Sequence, residues 1–169
     1  MKIAVDAMGG DHGPAVVVEG AAAAAREFGT SIALVGDKAA IEREVARLSA
    51  QGLDFEIRHA SQVVSMAESP SHALRRKRDS SLRIAAEMVR DGEAAAFVSA
   101  GNTGAAMAIS MFVIGVLPGV DRPAIAAVLP SLRGYTVLLD VGANVGPKPW
   151  HLLQFAIMGH AYALSLIHI

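Results

Sequence analysis

Asp6, Asp11, Asn102, Thr103 and Asp140 all sit in loops that leave a short apolar run through glycine. The first loop, residues 6–14, carries Asp6 and Asp11 around Gly9 and Gly10, with His12 beside them. Its glycines allow backbone N–H groups to approach a phosphate while a carboxylate orients or deprotonates a nucleophile. The plainer alternative is a tight turn in which Asp11 caps a helix starting at Pro14. The second loop, residues 99–104, places Asn102 and Thr103 between Ser99, Gly101 and Gly104 at the mouth of an apolar helix. These groups offer hydrogen-bond donors to an anion or a carbonyl oxygen, or else they simply cap the helix. In the third loop Asp140 precedes Gly142 and Asn144, and Lys148 follows between two prolines. Asp140 could order a water, a metal or a substrate hydroxyl there, or brace its own loop through backbone N–H groups.

A fourth feature is the run Arg75-Arg-Lys-Arg78, the only dense basic cluster in a chain with 15 Lys plus Arg against 16 Asp plus Glu. Four consecutive positions turn by about 100° each on a helix, so some must face a pocket and others solvent. Arg76 and Lys77 are candidate phosphate ligands, an acidic partner protein is the other target, and a solvated helix end is the plain alternative. The near-neutral net charge of −1 excludes a broad basic field for nucleic acid. There is no cysteine, which excludes a thiolate metal site, a cysteine nucleophile and a disulfide framework, and fits a cytoplasmic setting. The six histidines show no zinc spacing beside a third ligand, so no metal or cofactor is expected.

These loops need elements to hold them. A hydrophobic fraction of 53% and a mean hydropathy of +0.40 fit a buried parallel sheet. The pattern predicts strands at 2–6, 31–35, 55–58 and 95–99, with helices from Pro14, at 38–50 behind an Asp37 cap, at 70–77, 80–91 and 103–115. Two paired strands at 124–129 and 135–140 and a helix from Pro149 complete the chain. This alternation predicts an α/β protein with a three-layer α/β/α architecture and a mostly parallel, doubly wound sheet. The apolar stretch 105–117 is shorter than a membrane span and reads as a core helix. The apolar ending 164–169, without a polar tail, leads to the expectation of a truncated chain.

Taken together, residues 5–11, 73–81, 99–105, 119–124, 139–144 and 152–156 resemble the bacterial acyl-carrier-protein:phosphate acyltransferase family of phospholipid synthesis. The stretch Gly146-Pro-Lys-Pro-Trp150 and the residues after Gly159 depart from that pattern. The resemblance implies a fold like isocitrate and isopropylmalate dehydrogenases, a homodimer, and residues 1–169 as the N-terminal part of one acyltransferase domain. It implies transfer of a fatty acyl group from acyl-carrier protein to inorganic phosphate. The acyl phosphate would pass to a membrane glycerol-3-phosphate acyltransferase, placing the enzyme at the inner face of the cell membrane. Asp11, Asn102, Thr103 and Asp140 are the expected catalytic groups. Gly9, Gly10, Arg76, Lys77, Ser99, Gly101, Gly104, Gly142, Asn144 and Lys148 are the expected substrate-binding set. The other readings are a phosphotransacetylase-like enzyme using acyl-coenzyme A, a hydroxyacid dehydrogenase of related fold, and an inactive fragment.

Overall fold

A computed structural model describes residues 1–142, 144 and 146–166. It divides into two units, 1–115 and 116–169, and each is described by itself.

The first unit is built on a four-stranded parallel sheet of β1 (Lys2–Asp6), β2 (Ser31–Gly36), β3 (Phe55–His59) and β4 (Ala96–Ser99). The spatial order is β3-β2-β1-β4, with Ile3 opposite both Ile32 and Ala96. Alternation along the strands assigns the two faces. Val5, Ala7, Ile32 and Leu34 pack under α1 (Gly13–Phe28) and α2 (Lys38–Arg47), together with Val18, Ala22 and Ile41. Ala4, Ala33 and Val35 pack on the opposite face against Ala85 and Met88 of α4 (Ser81–Arg90). The small residues Ala21, Ala22 and Ala25 are buried on α1, the part of the predicted alanine run that meets the core. Helices therefore cover both faces, as the expected three-layer architecture requires.

The chain adds β2 and β3 on one side of β1 and then returns to place β4 on the other. Parallel sheets bind ligands at this kind of reversal, beyond the carboxyl ends of the two strands that flank it. The first two glycine loops leave β1 and β4 at that point.

Between β3 and α4 the chain makes an excursion containing α3 (Pro70–Arg76). Its neck is closed where Gln62 N–H donates to Asp79 O and Ser81 N–H to Gln62 O. The Asp79 carboxylate also accepts from Ser61. Ser69 and Ser80 cap α3 and α4 through their hydroxyls, and Asp37 caps α2 as predicted.

The expected helix 103–115 is regular only over α5 (Thr103–Ile109). Residues Ser110–Ile114 form a π-helical turn, closed by Gly115 N–H donating to Ser110 O. Ser110 Oγ also donates to Ala106 O, and this local competition for backbone acceptors is not visible in hydrophobic periodicity.

The second unit holds an antiparallel hairpin, β5 (Ala126–Ser131) and β6 (Gly134–Leu139), followed by α6 (Pro149–Leu166). Within it Gln154 accepts from Asp121 N–H and donates to Gly119 O. Of the apolar ending noted in the sequence, residues 167–169 lie outside the described residues. Among the described residues, no helix is long and apolar enough to cross a membrane.

Candidate active site

Loops one and two meet around a buried carboxylate. Asp6 ends β1 and is 2% exposed. Its Oδ1 accepts from Met8 N–H at 3.3 Å, and its Oδ2 accepts from Ser99 Oγ at 2.7 Å. Ser99 Oγ in turn accepts from Gly101 N–H at 3.1 Å. One carboxylate thus fixes the exits of both β1 and β4, whose ends already pair at Asp6 and Ser99. The approach is so close that only glycine fits. A Cβ on Gly9 would lie 2.7 Å from Asp6 Oδ2 and 3.0 Å from Gly101 N. Gly10 adopts φ +90, a conformation open to glycine, and a Cβ there would face Ala100 O at 3.2 Å.

The result is a pocket of about 210 Å³ lined by Gly9 to Gly13, Val16, Val17 and Ala100. Among the described residues, the N–H groups of Gly10, Asp11 and His12 have no backbone partner. They precede the 16-residue helix α1, whose N-terminal end carries partial positive charge. Asp11 is exposed at this mouth and does not cap α1. The N-cap position is His12, which makes no side-chain cap bond. An adjoining apolar slot of about 460 Å³ shares Val16, Val17 and Ala100 with the pocket and runs along Ile3, Val98 and Ala24.

Asn102 is 9% exposed and fully engaged. Its Oδ1 accepts from Ala105 N–H at 2.9 Å, the capping bond of α5. Its Nδ2 donates to Ser65 O, Met66 O and Glu68 O at 3.2, 2.9 and 2.8 Å. With its amide hydrogens so placed, Asn102 is not also free to donate to an oxyanion. It clamps the 65–68 turn onto loop two, beside the close approach of Gly104 to Pro70. Thr103 is exposed at the start of α5, where first-turn N–H groups lack intrahelical acceptors.

The basic run divides where α3 ends, with Arg75 and Arg76 on the helix and Lys77 at its non-helical C-cap. Lys77 turns inward, pairing with Glu68 at 2.6 Å and donating to Val63 O at 2.5 Å. Arg75, Arg76 and Arg78 are exposed. Lys77 is therefore tied to Glu68 rather than free for a phosphate. The Lys77 ammonium first, then His72 and Ser65 N–H, hold the Glu68 carboxyl down from 4.5 to about 2, against the opposing effect of desolvation. A carboxyl with a lowered folded pKa adds stability above its unfolded value, and that stability is lost as pH falls through the folded one. The stability gap between wild type and Glu68→Gln is expected to be full near neutrality and to shrink between pH 4.5 and about 2. Denaturation midpoints measured across that window check this, and a gap independent of pH contradicts it.

Loop three belongs to the second unit and braces itself. Asp140 has φ +60, and its Oδ1 accepts from Asn144 N–H and Asn144 Nδ2 at 3.1 and 2.8 Å. Asn144 Nδ2 also donates to Pro123 O, and Gly142 N–H to Asp140 O. Asp140 lines a second pocket of about 510 Å³ between β6 and α6. Lys148 is exposed, and its backbone N–H donates to His151 Nδ1 at 3.1 Å. Residue 143 lies outside the described residues. Among the described residues, no three His, Asp or Glu side chains are grouped to hold a metal ion.

The residue pattern points to Asp11, whereas the structure gives the central bracing position to Asp6. The signal was present: Asp6 is the last residue of a strand, one step before the chain must turn. The three carbonyls facing Asn102 had no local signal, because they lie more than thirty residues away, and the Glu68–Lys77 pair closes only when the excursion folds.

A family model described as a fatty acid synthesis protein matches residues 1–169. The phosphate acyltransferase of Geobacter sulfurreducens is 59% identical over 169 residues, covering 100% of this chain and 49% of that protein. That of Geotalea uraniireducens is 57% identical over 163 residues, 96% of this chain and 47% of its own length. The phosphate acyltransferase of Oleidesulfovibrio alaskensis is 55% identical over 167 residues, 99% and 48%. The chain spans about half the length of these curated relatives. Because the family match runs along its entire length, this chain belongs to the fatty acid synthesis protein family and is similar to these phosphate acyltransferases.

Proposed function

We propose that the chain contributes to transfer of a fatty acyl group from acyl-carrier protein to inorganic phosphate, yielding acyl phosphate. The supporting observation is the meeting of loops one and two over Asp6 and Ser99, with unpartnered N–H groups beside an apolar slot. An anion needs such donors, and an acyl chain needs such a slot.

In this reading the N–H groups of Gly10, Asp11 and His12 hold phosphate at the end of α1. A phosphate oxygen attacks the thioester carbonyl carbon, the C–O bond forms, and the C–S bond breaks to release the carrier thiol. Thr103 and the first-turn N–H groups of α5 stabilise the developing oxyanion. Asn102 acts by positioning them. Asp11, at the pocket mouth, orients phosphate or accepts its proton, and within the second unit Asp140, Gly142, Asn144 and Lys148 form a substrate-binding loop of their own. Gly9, Gly101 and Gly104 serve by permitting close approach, and Ser99 by bracing. Arg76 adds positive charge outside the pocket. The acyl phosphate passes to a membrane glycerol-3-phosphate acyltransferase at the inner face of the cell membrane, and the working form is a homodimer.

The test is formation of acyl phosphate, trapped with hydroxylamine, from acyl-carrier protein or acyl-coenzyme A and inorganic phosphate. The chain is assayed alone and together with the C-terminal half of the Geobacter sulfurreducens relative. Phosphate-dependent transfer from the carrier thioester in either arm is the expected result. Transfer from acyl-coenzyme A alone shifts the donor, and no transfer in any arm contradicts the proposal.

A further inference from the structure

The strongest run of like charge in the chain is not part of the phosphate pocket. Arg75 and Arg78 are exposed and Arg76 lies beside them on α3, and among the described residues none of the three belongs to an ion pair. The acids around them are engaged elsewhere: Glu68 with Lys77 and His72, Asp79 with Ser61, and Glu87 with Arg83. Three guanidiniums without an internal acid form a local positive surface on a chain of net charge −1. Such a surface attracts and orients a complementary one.

Its shape selects the kind of partner. Arg75 and Arg76 are consecutive on α3 and so point about 100° apart, while Arg78 follows after the helix has ended at Lys77. Groups spread this way do not close on a single small anion. Among the other exposed residues from 70 to 79, Ser71, His72 and Asp79 are polar and Pro70 is apolar, while Val63 and Met66 are exposed earlier in the excursion, so positive charge dominates the arginine end of this face. Guanidinium forks match carboxylates in paired hydrogen bonds.

We propose that Arg75, Arg76 and Arg78 form a docking surface for an acidic protein, engaged through its carboxylates. The identity of that partner rests on the acyl-transfer reading, which requires a carrier protein to bring its thioester to the site. The location is apt, because the same excursion is pinned to loop two. Its neck is closed by Gln62 and Asp79, Lys77 braces it from inside through Glu68, and Asn102 holds its 65–68 turn. A partner seated on the arginines is thus held by the segment that abuts the start of α5.

The experiment is a fluorescence-anisotropy titration of the chain with labelled acyl-carrier protein at low and high salt. Arg75→Glu/Arg78→Glu is expected to weaken binding by about tenfold and to flatten its salt dependence. The variant should keep the wild-type denaturation midpoint, since both side chains are exposed. Equal affinity of variant and wild type overturns the proposal, as does absence of wild-type binding at low salt. Arginine-dependent capture of anionic lipid vesicles, with no binding of the carrier protein, also overturns it in favour of a membrane surface. Phosphate-induced amide shifts in loop one are followed in the same samples. If they are absent while arginine-dependent docking persists, the phosphate reading fails and the docking surface stands.

Discussion

Gly9→Ala is expected to destabilise the first unit by about 1–3 kcal/mol, the usual cost of forcing a methyl group into a closed site. The new Cβ would lie 2.7 Å from Asp6 Oδ2, 3.0 Å from Gly101 N and 3.1 Å from Ser99 Oγ. None of these can retreat cheaply: one is backbone, and the other two hold the hydrogen bond that joins the ends of β1 and β4. The strain therefore falls on the contact between loops one and two, and the response to phosphate should fall with it. Gly20→Ala is the control. It lies in α1, and a methyl group there would meet nothing within 4 Å, so it should stabilise by roughly 0.5–1 kcal/mol through backbone entropy. Equilibrium urea denaturation of the two variants measures both signs. A neutral Gly9→Ala would mean that the loops do not approach as described.

Asn102→Ala is expected to cost about 2–3 kcal/mol, combining a lost helix cap with carbonyls left without a donor. Asn102→Asp separates the two contributions. The carboxylate keeps the acceptor for Ala105 N–H, but it turns an oxygen toward Ser65 O, Met66 O and Glu68 O where Asn102 presented an amide. It should rescue the cap and still release the 65–68 turn. Amide hydrogen exchange reads this directly, with protection kept at Ala105 and lost around residues 65–69. If Asn102→Asp behaves as wild type in both places, the clamp is not a determinant of loop two. A variant whose effect is confined to phosphate binding, with no change in exchange, would return Asn102 to the role of a direct donor.

The elements were legible because each obeys a local rule. Apolar runs mark β1 and β2, Asp37 marks the start of α2, and the apolar pair flanking Ser131 to Gly134 marks the hairpin β5–β6. Loop positions followed from the same patterns, since glycine after an apolar run signals a strand exit. The roles of individual side chains were less legible. Asp11 carries the same carboxylate as Asp6, and only the pairing of β1 with β4 decides which one is enclosed. Lys77 reads as one of four equivalent cations until the turn at Glu68 folds back beside it. Asn102 reads as a cap, which it is, but its second hydrogen-bonding group depends on carbonyls 34 to 37 residues away. The π-helical turn after Ile109 accompanies one serine bonding to its preceding turn, a detail that periodicity does not carry.

The central claim is that loops one and two form a single phosphate site. Titrating the isotope-labelled chain with inorganic phosphate, and following backbone amide chemical shifts, tests it most directly. The predicted result is a set of shifts at Gly10, Asp11, His12 and Thr103 that share one dissociation constant and are lost together in Gly9→Ala. Shifts confined to Arg75, Arg76 and Arg78, or no shifts at millimolar phosphate, would contradict it.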